Sequence, residues 1–344
     1  MKTTRHWLNV VAVAATIAFC AASVQAQPFY EGKTVRVIHG FGAGGGFHRS
    51  GEVVTRHLTK HVPGNPTFVV ESMKGAGALI AMNYVYNKSK PDGLTIGYLF
   101  ANQLVREVLG GTGIQFDSTK YKWLASPSYT TAVCTTTAAS GIKSIDDWRN
   151  AKEPVKFGAI SRQGDLAHDI PKLLSALAGL PVKIVVGHKG GNPDMKLAAE
   201  RGEIAGFCAS IEATRIVWGE ALDAGTAQVL IQIAENPDPM IPDVPTAKKL
   251  VSDEDWLLFA AAVANPGRMT RVFAFPPGTP DDKVQLMRKA LMETFADPDF
   301  RAEAKKLKVS VNPVSGEEVE RLVAQMHSLP PATIERLKEL LSGE

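Results

Sequence analysis

Short apolar runs, each closed by a glycine-bearing loop and followed by an amphipathic stretch, recur along the chain, and this alternation commits it to a layered α/β architecture. Thr34 to Ile38 reads as a buried strand, Gly40 to Gly46 as a loop, and Val53, Val54, His57, Leu58 and His61 as one stripe of a helix. A second strand spans Thr67 to Val70. Gly75-Ala76-Gly77 then opens a helix through Tyr86, Pro91-Asp92-Gly93 makes a tight turn, and Leu94 to Leu99 is a third strand. Parallel strands need such crossover connections, so each sheet is expected to be mostly parallel and flanked by helices.

The pattern resumes after Tyr121 to Pro127, with strands at Ala132 to Thr136, Val155 to Ile160, Val182 to Val186 and Ile204 to Cys208, and helices at Ser144 to Trp148, Leu166 to Leu180 and Asn192 to Arg201. A strand from Val229 to Ala234 and a Pro-rich stretch lead to Ser252-Asp253-Glu254-Asp255, a helix start for Trp256 to Ala264. Arg271 to Phe275 is a strand, Val284, Met287, Leu291 and Phe295 mark one helix face, and Gly316 to Leu341 is two helices. Two such series joined by extended crossings near Trp123 to Pro127 and near Val229 predict two lobes: residues 27–127 with 229–344, and residues 128–228.

Lys2 and Arg5, the apolar run Val10 to Ala22 and the small-residue pattern Val24-Gln25-Ala26 read as a signal peptide over residues 1–26, so the chain is expected in the periplasm. The apolar run falls short of the ~20 residues of a membrane span, and bulky Phe19 before Cys20 argues against a lipid anchor. Without Lys2 and Arg5, 36 of the 38 Lys and Arg remain against 35 Asp and Glu, a net charge of +1. So small a charge offers no general grip on nucleic acid. Cys134 and Cys208 remain, with no CxxC pattern and no metal-ligand spacing. In an oxidising compartment they either form a disulfide or stay buried as small apolar residues.

Gly40-Phe41-Gly42-Ala43-Gly44-Gly45 fits G-x-G-x-x-G between strand and helix, with Glu71 near the place of a ribose-binding acid. Against a nucleotide cofactor stand the leader and a second glycine loop, Gly75-Ala76-Gly77, at the next strand-to-helix junction. Two such loops suit one shared anion pocket, because successive backbone N–H groups and helix N-termini favour carboxylate or phosphate. Tight turns alone would also use glycine. Ser161, Asp165 and His168 lie close together in sequence, yet no G-x-S-x-G elbow supports a hydrolase. No catalytic residue is assigned, and a secreted α/β enzyme, a hydrolase or a nucleotide-cofactor enzyme using Gly40 to Gly45, is the alternative reading.

Val35 to Gly46, Val69 to Gly77, Pro91-Asp92-Gly93, Gly187-His188-Lys189-Gly190 with Pro193, Ile241 to Thr246, and Pro276-Pro277-Gly278-Thr279-Pro280 occur in an order that resembles the periplasmic solute-binding receptors of tripartite tricarboxylate transporters, the TctC or Bug proteins. The resemblance covers nearly all of the chain after the leader. It implies a two-lobed periplasmic-binding-protein fold of the Venus-flytrap type and a small organic acid clamped between the lobes. It also implies delivery to a membrane permease, no cofactor and no metal, with a monomer expected.

Carried over residue by residue, the pocket falls on Gly44, Gly45, Gly46, Phe47 and His48, on Lys74, Gly75, Ala76 and Gly77, on Arg162, Gly164 and Asp165, and on Ser210. Phe47-His48 stands where the family's first loop has Thr-Asp, and Ala209 stands at a family Asp. Losing acids eases the binding of negative charge. The planar fork of Arg162 suits a carboxylate, with His48 and Ser210 closing from the sides. Phe47, Met73 and Leu79 replace smaller or polar family residues, which hints at an apolar or aromatic ligand body.

Overall fold

The computed structural model describes residues 27–43, 46–160, 166–188, 190–307 and 309–342; the expected leader lies outside them. In chain order the main elements are β1 Thr34–His39, α1 Gly46–Leu58, β2 Thr67–Ser72, α2 Leu79–Lys88, β3 Thr95–Phe100, α3 Asn102–Val108, β4 Lys122–Ser126, β5 Ala132–Thr137, α4 Ile145–Arg149 and β6 Val155–Ala159. Then come α5 Leu166–Ala178, β7 Val182–Val186, α6 Asn192–Glu200, β8 Gly206–Ser210, α7 Ile211–Asp223, β9 Ala227–Ile233 and α8 Asp253–Phe259. The chain ends with β10 Arg271–Phe275, α9 Asp281–Ala296, α10 Pro298–Lys306, β11 Val314–Ser315, α11 Gly316–His327 and α12 Pro331–Ser342.

Two sheets form, in the orders β11-β4-β10-β3-β1-β2 and β7-β6-β8-β5-β9. β1 is parallel to β2 and β3, and β6 to β7 and β8. β10 runs antiparallel to β3 and β4, and β5 antiparallel to β8 and β9. Both sheets are therefore mixed rather than mostly parallel. Strands linked by crossover helices run parallel, whereas β5 and β10 arrive from the other unit at the shared edge and must run away from it.

Alternation along β10 shows how the first sheet is buried. Phe273 and Phe275 face Val54, Leu58, Met287, Leu291 and Phe295 of α1 and α9, while Val272 and Ala274 face Met82, Val85, Leu322 and Val323 of α2 and α11. Each fully buried Phe or Leu contributes about 1.5–3 kcal/mol of transfer free energy.

The expected lobe boundary at residue 229 is corrected in three places. β9 is an edge strand of the second sheet, with Leu230, Ile231 and Ile233 buried in the same core as Cys134. α8 and the π-helical stretch after it put Trp256, Phe259, Ala261 and Val263 into that core. The last helix, α12, returns to it through Leu337 and Leu341 and packs on α5. Gln232 explains why the Pro-rich segment does not cross: its Nε2 donates to Val244 O at 2.7 Å and its Oε1 accepts from Asp238 N–H at 2.7 Å, folding the segment back on β9. The chain crosses to the first sheet only after Asn265–Arg268, and crosses again between α11 and α12.

Candidate functional site

Strand directions place the site. β4 and β3 are both antiparallel to β10, so Ser126 ends β4 at the edge where β1 ends at His39 and β3 at Phe100. From there the chain crosses through 127–131 into β5, whose first residue, Ala132, lies opposite Ser210 at the end of β8. β6 and β7 end at that edge too. The carboxyl ends of β1 to β3 thus face those of β6 to β8 across the crossing, the crevice where open α/β sheets take ligands. The crossing is tied by Thr130 N–H donating to Gly267 O at 2.9 Å and Ser126 Oγ donating to Arg271 O at 2.9 Å.

In the first unit the two glycine loops meet. A Cβ on Gly40 would stand 2.2 Å from that of Ala78, so only glycine permits the approach. Ser72 Oγ donates to Phe41 O, and Met73 N–H donates to His39 O at 2.8 Å. Gly75, Ala76, Gly77 and Ala78 all have positive φ, at 139°, 46°, 63° and 78°. Two alanines in this region carry strain that the surroundings must impose. Gln103 Nε2 supplies one restraint, donating to Gly77 O at 2.7 Å.

A histidine pair backs the first loop. Phe41 N–H donates to His39 Nδ1 at 3.2 Å, so that nitrogen carries no proton and Nε2–H donates to His48 Nδ1 at 2.9 Å. His48 Nε2–H then points to Glu52 at 3.3 Å. Burial, reinforced by His48, pushes the His39 pKa down to about 4, which keeps its ring neutral near pH 7.

The family model described as tripartite tricarboxylate transporter family receptor matches residues 53–338. The chain belongs to this family. No curated protein matches it by sequence. Among solved structures it is similar to a TctC solute-binding protein from Polaromonas, with 19% identity, TM-score 0.72, and coverage of 92% of this chain and 100% of that one. MatC from Rhodopseudomonas palustris, solved with malate, has 18% identity and TM-score 0.55 over 90% of this chain and 99% of its own. Another R. palustris protein, solved with adipate, has 18% identity and TM-score 0.59, covering 90% of this chain and 97% of its own. These likenesses establish the two-lobed α/β fold of a TctC receptor, and the family is one of receptors.

Against the expected pocket, the receptor places its residues unevenly. Lys74 is exposed, its stem lying beside Gly42, and Gly75 to Gly77 form the left-handed loop. Gly46 begins α1. Ser210 caps α7, its Oγ accepting from Ala213 N–H at 3.2 Å. His48 has both ring nitrogens engaged within the first unit. Phe47 is 9% exposed and packs on Phe41 and Tyr98, with ring centroids 4.6 Å away in each case. Leu79 is buried and Met73 packs against the same core as Leu79. Phe47 and Leu79, two of the three residues behind the hint of an apolar ligand body, are thus packed in the cores of the first unit, and Met73 is half-buried beside them. Gly44, Gly45, Arg162, Gly164 and Asp165 lie outside the described residues, as do Ser161 and Lys189. His168 sits within α5, its Nδ1 2.8 Å from Asp169 Oδ1.

Cys134 and Cys208 are joined by a disulfide. They face each other across β5 and β8, with Cα atoms 4.0 Å apart. Sequence reasoning missed His39, which reads locally as the end of an apolar strand, and Arg271, which reads as the start of one.

Proposed function

We propose that the receptor is exported to the periplasm, captures a small organic acid between its two units and presents it, as a monomer, to the membrane permease of a tripartite transporter. The observation that carries this reading is the family match along residues 53–338. The structures of relatives with malate and adipate support a carboxylate ligand, and the facing carboxyl edges of the sheets supply a crevice for it. In the described residues the candidate contacts are Lys74, the Gly75 to Gly77 loop, and Ser210 at the helix start across the cleft. The leader composition supports release after Ala26.

A thermal-shift panel of mono-, di- and tricarboxylates with their matching amides tests the ligand class. An acid at 100 times its dissociation constant should stabilise the folded chain by ~2.7 kcal/mol and be recovered chemically unchanged. Stabilisation by none of the acids, or conversion of one of them, would overturn the reading. Sequencing of the exported protein should find Gln27 first.

A further inference from the structure

Arg271, the first residue of β10, combines partial burial with the absence of a countercharge among the described residues. Its Nε is buried without a hydrogen-bond partner, and its guanidinium lies over the Phe47 ring, 5.6 Å from the centroid, rather than against a carboxylate. It pairs in register with Phe100, whose position marks the carboxyl edge of the first sheet. Arg271 shares its strand face with Phe273 and the Phe47–Tyr98 cluster. The contrast with Arg36 on the same sheet is instructive: both forks of Arg36 are taken by Glu71 at 2.7 and 2.8 Å.

Withdrawing a guanidinium from water is unfavourable unless an anion meets it. Among the described residues, nearby groups do not provide one. His39 and His48 hydrogen-bond to each other and face only Glu52, which His48 already engages, and Tyr98 OH shares a hydrogen bond with Ser50 Oγ at 2.8 Å. The Phe47 ring holds the guanidinium plane by cation–π attraction without neutralising it.

We infer that Arg271 is the side-chain anchor for a carboxylate of the ligand, set at the hinge edge of the cleft. This rests on the proposed reading of the cleft as an organic-acid site. The fork takes both oxygens of a carboxylate. Ser126 Oγ donates to the Arg271 carbonyl, fixing the anchor's backbone beside the crossing.

The test uses the mature chain and a panel of malate, adipate, citrate and benzoate with their amides, followed by calorimetry. An acid that binds the wild type should bind Arg271→Gln about 10- to 100-fold more weakly, the range for a hydrogen bond to a charged group. Arg271→Lys, which retains charge but not the fork, should fall between them. Without ligand, Arg271→Gln should melt within a few degrees of the wild type, because the guanidinium is only partly buried and makes no ion pair within the described residues of the folded chain. Amide binding should not change. An acid bound equally by wild type and Arg271→Gln, or equal losses for acid and amide, would overturn the anchor. Failure of the wild type to bind any acid would instead overturn the reading of the cleft.

Discussion

In the second unit a covalent bond ties the strands beside the crossing, Cys134 to Cys208 across β5 and β8, whereas the first unit, with no cysteine beyond the leader, holds its loops by close backbone approach and a few polar contacts. The bridge is at the centre of a sheet, with both residues at most 1% exposed. By contrast, the left-handed run at Gly75 to Ala78 is held by Gln103, by the Gly40 contact and by its own Ala78 N–H donating to Gly75 O at 3.0 Å. The two units thus restrain the edges that face the cleft by different means, a covalent cross-link in one and close backbone packing in the other.

Removing the bridge should have the largest effect. Replacing both cysteines by alanine should cost about 2–5 kcal/mol, since the bond closes a separation of 74 residues in the unfolded chain. Denaturant melts of the two forms measure this, and an unchanged midpoint would remove the contrast between the units. Thiol labelling of the denatured, unreduced mature protein should find no free thiol.

Next in size is Gly40→Ala. Its methyl group would fall 2.2 Å from Ala78 Cβ, and overpacking of this kind costs roughly 1–3 kcal/mol. Hydrogen exchange should quicken over residues 75–80 while the disulfide-bearing strands stay protected; protection lost equally in both sheets would contradict separate restraint of the loops. The smallest effect has the opposite sign. Ala76→Gly relieves a φ of 46° at an exposed position and should stabilise by up to ~1 kcal/mol, because left-handed backbone costs alanine about that much. A lower melting temperature would show that Ala76 is not strained.

Local readings succeeded where the physics is local. The amphipathic stripe Val284, Met287, Leu291 and Phe295 is buried on α9, and Ser252 caps α8 by accepting from Asp255 N–H. The strand expected at Ile204 to Cys208 lies two residues later, at Gly206–Ser210, because pairing with β5 rather than hydrophobicity sets its ends. Helix α10 escaped notice although Asp297 caps it and Pro298 opens it, since only Phe300 and Ala304 are buried along its length. In the candidate site, the glycine loops were legible through their spacing. The inward turn of Phe47 and Leu79 was not, because an exposed pocket wall and a packed core use the same side chains.

Sequence alone determined the α/β alternation, the two glycine loops and the pair of cysteines available for bridging, because strand and helix periodicity and the freedom of glycine act within a few residues. Tertiary structure decided that β9 joins the second sheet and α12 its core, that Gly40 meets Ala78, and that Arg271 lies on Phe47 with no carboxylate among the described residues beside it. Each of those outcomes depends on which distant surfaces exclude water together, and burial, register and the pairing of a charge exist only once those surfaces have met.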